Sequence, residues 1–206
     1  MATSLYLVRH GETDANRDGL ALGRADVPLN ECGLGQAERL REALKNEPFA
    51  AIYSSPLSRT LKTAEVITVT RGLDVTVEKS LVEMDVGDLD GFTFAEVRER
   101  YPSLLERWTS PDGPNERLPG GERLLDVHAR ATEFLNRIRE LHPTDSVCAV
   151  THNFVILTIL ADVLVGGIGS FRRLRHSVAA ISVLEVEGSR WRVVRMNDTS
   201  HLDDGR

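Results

Sequence analysis

Residues 5 to 13 read Leu-Tyr-Leu-Val-Arg-His-Gly-Glu-Thr, an apolar run that stops abruptly on Arg9, His10 and Gly11. The run is too short for a core helix and lacks polar alternation, so it has the character of a strand buried on both faces. Such strands lie inside parallel sheets covered by helices, and in open α/β sheets ligands bind beyond the carboxyl ends of the strands. Arg9 and His10 therefore stand where a substrate would lie. A guanidinium grips phosphoryl oxygens in bidentate fashion, an imidazole can attack phosphorus, and a glycine lets the backbone come close. Taken alone, the same tripeptide also describes a strand that has reached solvent and turned.

Two further runs narrow the choice. Val147-Cys148-Ala149-Val150 ends on Thr151-His152, so two strands of like character each finish on a histidine. Ala51-Ile52-Tyr53-Ser54 leads into Ser55-Pro56-Leu57-Ser58-Arg59-Thr60. There Pro56 suits a first helical turn and sets Arg59 near a helix start, with amide groups and the positive dipole end facing an anion.

With these pieces in place the chain resembles the histidine phosphatase superfamily, also called the phosphoglycerate mutase-like family, over nearly its whole length. The likeness rests on Arg9-His10-Gly11-Glu12-Thr13 with Asn16, and on residues 23 to 30 followed by Gly33, Gln36 and Ala37. It continues through residues 54 to 60 with Thr63 and Ala64, then Leu81, Glu83, Gly87, Leu89 and Gly91, then Pro119-Gly120-Gly121-Glu122, and finally Val150-Thr151-His152. The resemblance implies a three-layer α/β/α sandwich with a mostly parallel central sheet. It implies that His10 accepts the phosphoryl group, that Glu83 gives a proton to the leaving oxygen, and that Arg9, Arg59 and His152 hold the phosphoryl oxygens. Asn16 would add a hydrogen bond to phosphate, and Gly23 and Asn153 would border the same site. Phosphoryl transfer depends on positioning and charge neutralisation, which preorganised cations supply. Arginines beside His10 also disfavour its protonation and keep a ring nitrogen free. Glu83 must be protonated for the first step and deprotonated for the second. A glutamate between a strand and a loop is ordinarily just solvated, so its role comes from the resemblance alone.

Three positions depart from the family pattern. Leu22 stands where many relatives carry glutamine, Val86 where the residue is often polar or histidine, and Asn153 where glycine commonly follows the second histidine. Leu22 and Val86 make the mouth of the site more apolar if they face it, which favours phosphomonoesters with apolar or varied leaving groups over a small zwitterion, because unpaired polar groups are costly to bury. Asn153 leaves its backbone amide available and adds a side-chain donor.

The chain has 206 residues and a formal net charge of −6. That length suits one α/β domain over residues 1–206 carrying a lid-like insertion at about 87–118. The acidic balance disfavours a general nucleic-acid or anionic-membrane role, so positive field must be concentrated at the site. Two cysteines are too few for a secreted disulfide scaffold; Cys148 falls in an apolar strand and Cys32 in a loop before a helix, and a reducing cytoplasm fits. No targeting segment is expected, because charge interrupts the N-terminal apolar run at Arg9. The most apolar stretch, residues 154 to 169, carries Asp162 and falls short of the ~20 residues a bilayer requires. The partner expected is a small phosphomonoester; oligomeric state stays open, a homodimer included.

The periodicity predicts a strand at 4–9, a helix at 33–46, a strand at 50–54, a helix at 56–70 and a short strand near 74–78. Pro102, Pro111, Gly113 and Pro114 then break the rhythm among short helical pieces such as 94–101. A long helix over about 121–141 shows Leu124, Val127, Ala131, Phe134, Leu135, Ile138 and Leu141 at steps of three and four. Strands near 147–151, 178–186 and 190–196 complete the pattern, the last two joined by a hairpin turn at Glu187-Gly188-Ser189. His128, His142, His176 and His201 lack paired metal-ligand spacing and read as surface or structural; the chemistry needs no metal and no cofactor. The cluster Arg172-Arg173-Leu174-Arg175-His176 reads first as a solvated charged turn, with guidance of anionic substrates as the alternative. Phe92, Phe94, Tyr101 and Trp108 line the substrate side of the lid or form its local core.

The substrate is harder to read. Phosphoglycerate mutases of this family place adjacent arginines in the insertion, whereas here Arg98, Arg100, Arg107 and Arg117 are dispersed among Glu96, Glu99, Glu106 and Glu116. The opening seven residues, Gly120-Gly121-Glu122-Arg123 and the tail 198–202 look most like bacterial broad-specificity phosphatases. Phosphoserine and α-ribazole phosphatases follow, then a mutase. A phospholigand binder without turnover is the alternative of another class, and joint retention of His10, Glu83 and His152 weighs against it.

Overall fold

The computed structural model describes residues 2–69, 71–165 and 167–203. The first half contains β1 (Thr3–Arg9), α1 (Asp14–Arg17), α2 (Glu31–Leu44), β2 (Phe49–Ser54), α3 (Ser58–Thr68) and β3 (Val75–Val77). The second contains α4 (Phe94–Arg100), α5 (Pro102–Thr109), α6 (Leu124–Leu141), β4 (Ser146–Thr151), α7 (Asn153–Val165), β5 (Ile181–Glu187) and β6 (Arg190–Asp198). Among the described residues the strands form one six-stranded sheet in the order β3-β2-β4-β1-β5-β6. The first four are mutually parallel, β5 runs antiparallel to β1, and β6 runs antiparallel to β5 and so returns to the direction of the first four.

Alternation along the central strands divides the core. Leu5, Leu7, Val147 and Ala149 point to one face, where they pack with Phe134, Ile138, Ile156 and Leu160 of α6 and α7. Val8, Cys148 and Val150 point to the other, against Leu40 and Leu44 of α2 and Ala64 and Ile67 of α3. Both faces of β1 and β4 are thus covered, which is why their sequences read as unbroken apolar runs. The connection leaving β1 runs toward the β2 side and that leaving β4 toward the β5 side, so a cleft opens between neighbouring strand ends.

Several boundaries differ from expectation for local chemical reasons. Helix α2 begins at Glu31 because the Asn30 side chain accepts the Gly33 amide at 2.8 Å, which puts Cys32 in the first helical turn and not in a loop. Helix α6 begins at Leu124, since the Glu122 amide is committed to the Asp85 carbonyl at 2.8 Å. Helix α3 starts at Ser58, so Pro56 lies ahead of its N-cap, Leu57. The Ser58 amide donates to Asp26 Oδ1 at 2.7 Å, which takes up an amide expected to face a bound anion. Thr70, the expected last residue of this helix, lies outside the described residues, as do Met1 and residues 204 to 206.

The insertion packs α4 and α5 over the sheet's carboxyl end. Arg172, expected in solvent, clamps it: the guanidinium donates to the carbonyls of Trp108, Thr109 and Ser110. His176 is 2% exposed, with its ring Nε2 2.9 Å from Ser182 Oγ, a structural histidine and not a surface one. No described helix is long and apolar enough to cross a membrane.

Candidate active site

The parallel pairing of β1 with β4 sets Arg9 opposite Thr151, so the next residue on each strand is a histidine. The His10 and His152 rings stand 5.1 Å apart between centroids at 60°. His10 Nδ1 lies 2.7 Å from the Gly11 carbonyl oxygen, which can only accept, so Nδ1 carries the proton and Nε2 is left with a free lone pair. Burial, then the charges of Arg9 and Arg59, hold the His10 ring well below its usual pKa of 6.5. Close approach explains the glycines here: a Cβ on Gly11 would sit 2.4 Å from the Gly33 carbonyl oxygen, and one on Gly33 2.1 Å from that of Glu12.

The cations are held by backbone carbonyls, not by carboxylates. Arg59 is fully buried and donates to Gly23 O and Ala25 O, each at 2.8 Å. Arg9 donates to His176 O at 2.5 Å and to Asn153 Oδ1 at 3.3 Å. Burial lowers the Arg9 pKa to about 10, with Glu83 opposing that shift and Arg59 adding to it. Both guanidiniums remain charged at neutral pH, without a paired anion to satisfy them.

Glu83 is 3% exposed. Its Oε1 accepts the Met84 amide at 2.8 Å and its Oε2 the Phe154 amide at 3.3 Å, in the first turn of α7. Burial raises its pKa above 4.5, and those amide bonds and the two arginines only partly offset it. Residues outside the site hold its loop in place. Arg24 Nε donates to the Glu83 carbonyl at 3.3 Å, and Arg130 to those of Ser80 and Val82. Glu122 accepts from Arg24 at 2.7 Å and from the Asp85 amide at 2.9 Å. In the sequence Glu122 stood out only as part of Pro-Gly-Gly-Glu; its work as an anchor depends on long-range contacts.

His152 is fully buried, with Nε2 2.7 Å from Ser55 Oγ, a contact with no local sequence signal. Asn16 Oδ1 accepts from Thr13 N and Oγ1, leaving the amide NH2 free for a ligand. Asn153 turns its oxygen to Arg9, so the side chain positions a cation besides offering a donor. Gly23 faces differently from expectation: its carbonyl holds Arg59 and its amide donates to Asp90 Oδ1 at 3.3 Å.

Arg9, His10, Asn16, Glu83 and Asn153 line a cavity of about 180 Å³. Leu20, Ala21, Leu22 and Phe154 form the wall it shares with an apolar chamber of about 350 Å³ under the lid. Val86, Phe94, Leu104 and Trp108 line that chamber too, so Leu22 borders both cavities and Val86 the chamber alone. Trp108 lines the chamber and packs edge-on against Phe154 and Phe171, and so serves both as lining and as lid core. No charged residue lines it among the described residues.

The model of the histidine phosphatase superfamily (branch 1) matches residues 5–199. The chain belongs to that superfamily. It is 34% identical over 200 residues to phosphoserine phosphatase 1 of Hydrogenobacter thermophilus, covering 97% of this chain and 94% of that one. Among solved structures it is similar to Bacillus stearothermophilus YhfR, with a TM-score of 0.91 at 33% identity over 98% of this chain and 100% of the other. The α-ribazole phosphatase from Shigella flexneri gives a TM-score of 0.85 at 26% identity, covering 95% and 96% of the two chains. The layered architecture and the order of the motifs are thus those of the family.

Proposed function

We propose that the protein is a phosphomonoester hydrolase working through a phosphohistidine on His10, with small esters of apolar alcohols as preferred substrates. The observation that carries the reading is His10 itself, a buried imidazole with a free Nε2 beside a half-buried Arg9 and a fully buried Arg59, sharing a small cavity with a carboxyl of raised pKa. In the first step His10 Nε2 bonds to phosphorus, the ester P–O bond breaks and the Glu83 proton goes to the departing oxygen, which leaves as the alcohol. In the second, a water oxygen attacks phosphorus, Glu83 takes the water's proton, the P–N bond breaks, and orthophosphate and neutral His10 remain. Arg9 and Arg59 neutralise the equatorial oxygens in both steps, and neutral His152 and the Asn16 amide add hydrogen bonds to them.

The charge-free chamber supports an apolar leaving group. It also weighs against a mutase, because Arg107 and Arg117 are tied to Glu116 and Asp126 while Arg98 and Arg100 lie over the Phe94 and Phe92 rings. The unpaired Cys32 and Cys148 accord with a reducing, cytoplasmic setting. The test is phosphate release, with chelator present, from an aryl phosphate, phosphoserine, α-ribazole phosphate and 3-phosphoglycerate, while 2-phosphoglycerate is monitored. Release from the esters with apolar alcohols, several-fold above phosphoserine in kcat/KM, is expected. Isomerisation without release, or binding without turnover, would overturn the reading.

The pH dependence follows from two shifts. His10 is held below 6.5, so its ring stays unprotonated into mild acid; Glu83 is raised above 4.5, so it stays protonated where an ordinary carboxyl would not. The kcat/KM for an alkyl ester is expected to fall as pH rises through the Glu83 pKa, because the proton donor is lost. An aryl ester, whose alcohol leaves without protonation, should lack that limb. Identical alkaline limbs for the two esters would remove Glu83 from the role of acid.

A further inference from the structure

On the side of the catalytic pocket away from the lid lies a second cavity of about 410 Å³ that the reaction as described does not use. Its wall in common with the catalytic pocket consists of Arg9, Asn16 and Asn153. Beyond that wall it is lined by residues 174 to 178, which include Arg175, His176 and Ser177, with Glu12 and Leu157 completing it. Its chemistry is opposite to that of the lid chamber: polar groups dominate, and hydrogen-bond donors converge on it. The Asn16 and Asn153 oxygens are both committed, to Thr13 and to Arg9, so each side chain offers its amide NH2 to anions, that of Asn16 with one N–H for each cavity.

Arg175 is the unusual member. Among the described residues most arginines are tied to carboxylates, carbonyls or aromatic rings, yet Arg175 is exposed on the cavity rim with neither a hydrogen bond nor an ion pair. Glu12 is the one carboxylate on the lining, and its Oε1 already accepts from the Asn30 side chain at 3.0 Å. With Arg9 on the shared wall and Arg175 on the rim, against the single carboxylate of Glu12, the cavity carries a net positive charge. His176 adds none, since burial and then the Arg9 charge lower its pKa to about 3.

The placement of the two cavities separates the two products. The leaving oxygen must point toward Glu83, and from there the apolar chamber receives the alcohol. Arg9 and Asn16, which take the equatorial oxygens in the proposed reaction, also line the polar cavity, so a released oxyanion can pass to it along the same donors. We propose that this cavity is a second oxyanion site, in which Arg175 with Asn16 and Asn153 receives the orthophosphate released at His10 on its way to solvent. Guanidinium and amide donors match phosphate oxygens, and a cation at the rim draws the anion outward along the field. Orthophosphate as the ligand rests on the phosphatase reading; the oxyanion site itself rests on the cavity.

Calorimetric titration of inorganic phosphate at low ionic strength tests this on the wild-type chain, Arg175→Gln and Arg173→Gln. The last removes the same charge from the same turn at an exposed residue that does not line the cavity. The wild type and Arg173→Gln are expected to bind two phosphates per chain, and Arg175→Gln one, or the second at least about tenfold more weakly, a loss the size of one charge-assisted bidentate contact. A single phosphate on the wild type overturns the site, and so does equal weakening in both variants, which would report only the general field. Hydrolysis of an aryl phosphate by the same preparations is read separately. Two bound phosphates without turnover would refute the phosphatase reading and keep the oxyanion site, whereas turnover with one bound phosphate would keep the reading and remove the site.

Discussion

His10→Ala is expected to abolish turnover, with kcat falling by about 10⁴-fold or more, the scale seen when a covalent nucleophile is deleted. Rapid quench with a ³²P-labelled ester should trap label on His10 in the wild-type chain and none in the variant. No neighbour is placed to take over. His152 Nε2 is engaged by Ser55, and its ring, like that of His10, is held well below its usual pKa, here by burial first, then by the neighbouring His10 and then by Arg59 and Arg9. Cys148 is on β4, with its thiol pushed up to about 12 by burial, and is inert as a nucleophile. The His10 side chain makes one local bond, to its own neighbour's carbonyl, so the variant should still melt cooperatively. Label appearing on His152, or full turnover in His10→Ala, would overturn the assignment.

The sequence disclosed the parts of this site that come from strand ends and little of what holds them still. Arg9, His10 and His152 were legible because a two-faced apolar strand that stops on a charged residue leaves that residue at the sheet's carboxyl edge, and parallel pairing then brings two such ends together. Arg59 is legible as a residue near a helix start, but the helix start is not what holds it. The amide at that helix start is taken by Asp26, and Arg59 serves through a side chain stretched between two carbonyls of the 23–25 loop. Such a contact joins residues more than thirty apart and has no period to betray it. The same holds for Ser55 beneath His152, for Glu122 and Arg24 beside the Glu83 loop, and for Arg172 across the lid. Helix limits missed by a few residues wherever a side chain outside the helix decided them, Asn30 for α2 and Asp26 for α3. Leu22 and Val86 mark an apolar chamber in the sequence, while the polar cavity behind Arg9 carries no such mark, because its lining comes from three separate segments.

Arg59 carries the second large effect, and the two replacements that matter separate its charge from its shape. In Arg59→Lys the charge remains, but one ammonium cannot span the Gly23 and Ala25 carbonyls that the two guanidinium nitrogens now hold at 2.8 Å each. A buried carbonyl left without a donor costs about 1–3 kcal/mol, so Tm should fall and the loop carrying Leu22 should loosen toward the lid chamber. In Arg59→Met the bulk is kept and the charge lost. Transition-state stabilisation of the equatorial oxygens then drops, and kcat/KM should fall by about 10³-fold, in line with the removal of one preorganised electrostatic contact. The charge also acts on its neighbours. Arg59 is one of the causes holding His10 below 6.5, after burial and Arg9, so removing a nearby cation makes the ring easier to protonate. The acid limb of kcat/KM in Arg59→Met should therefore move to higher pH, a shift that a purely structural lesion would not produce and that Arg59→Lys should show less strongly. An unmoved acid limb in Arg59→Met would mean that burial alone sets the ionisation of His10, and the arginine would be left with the oxygens of the phosphoryl group as its only task.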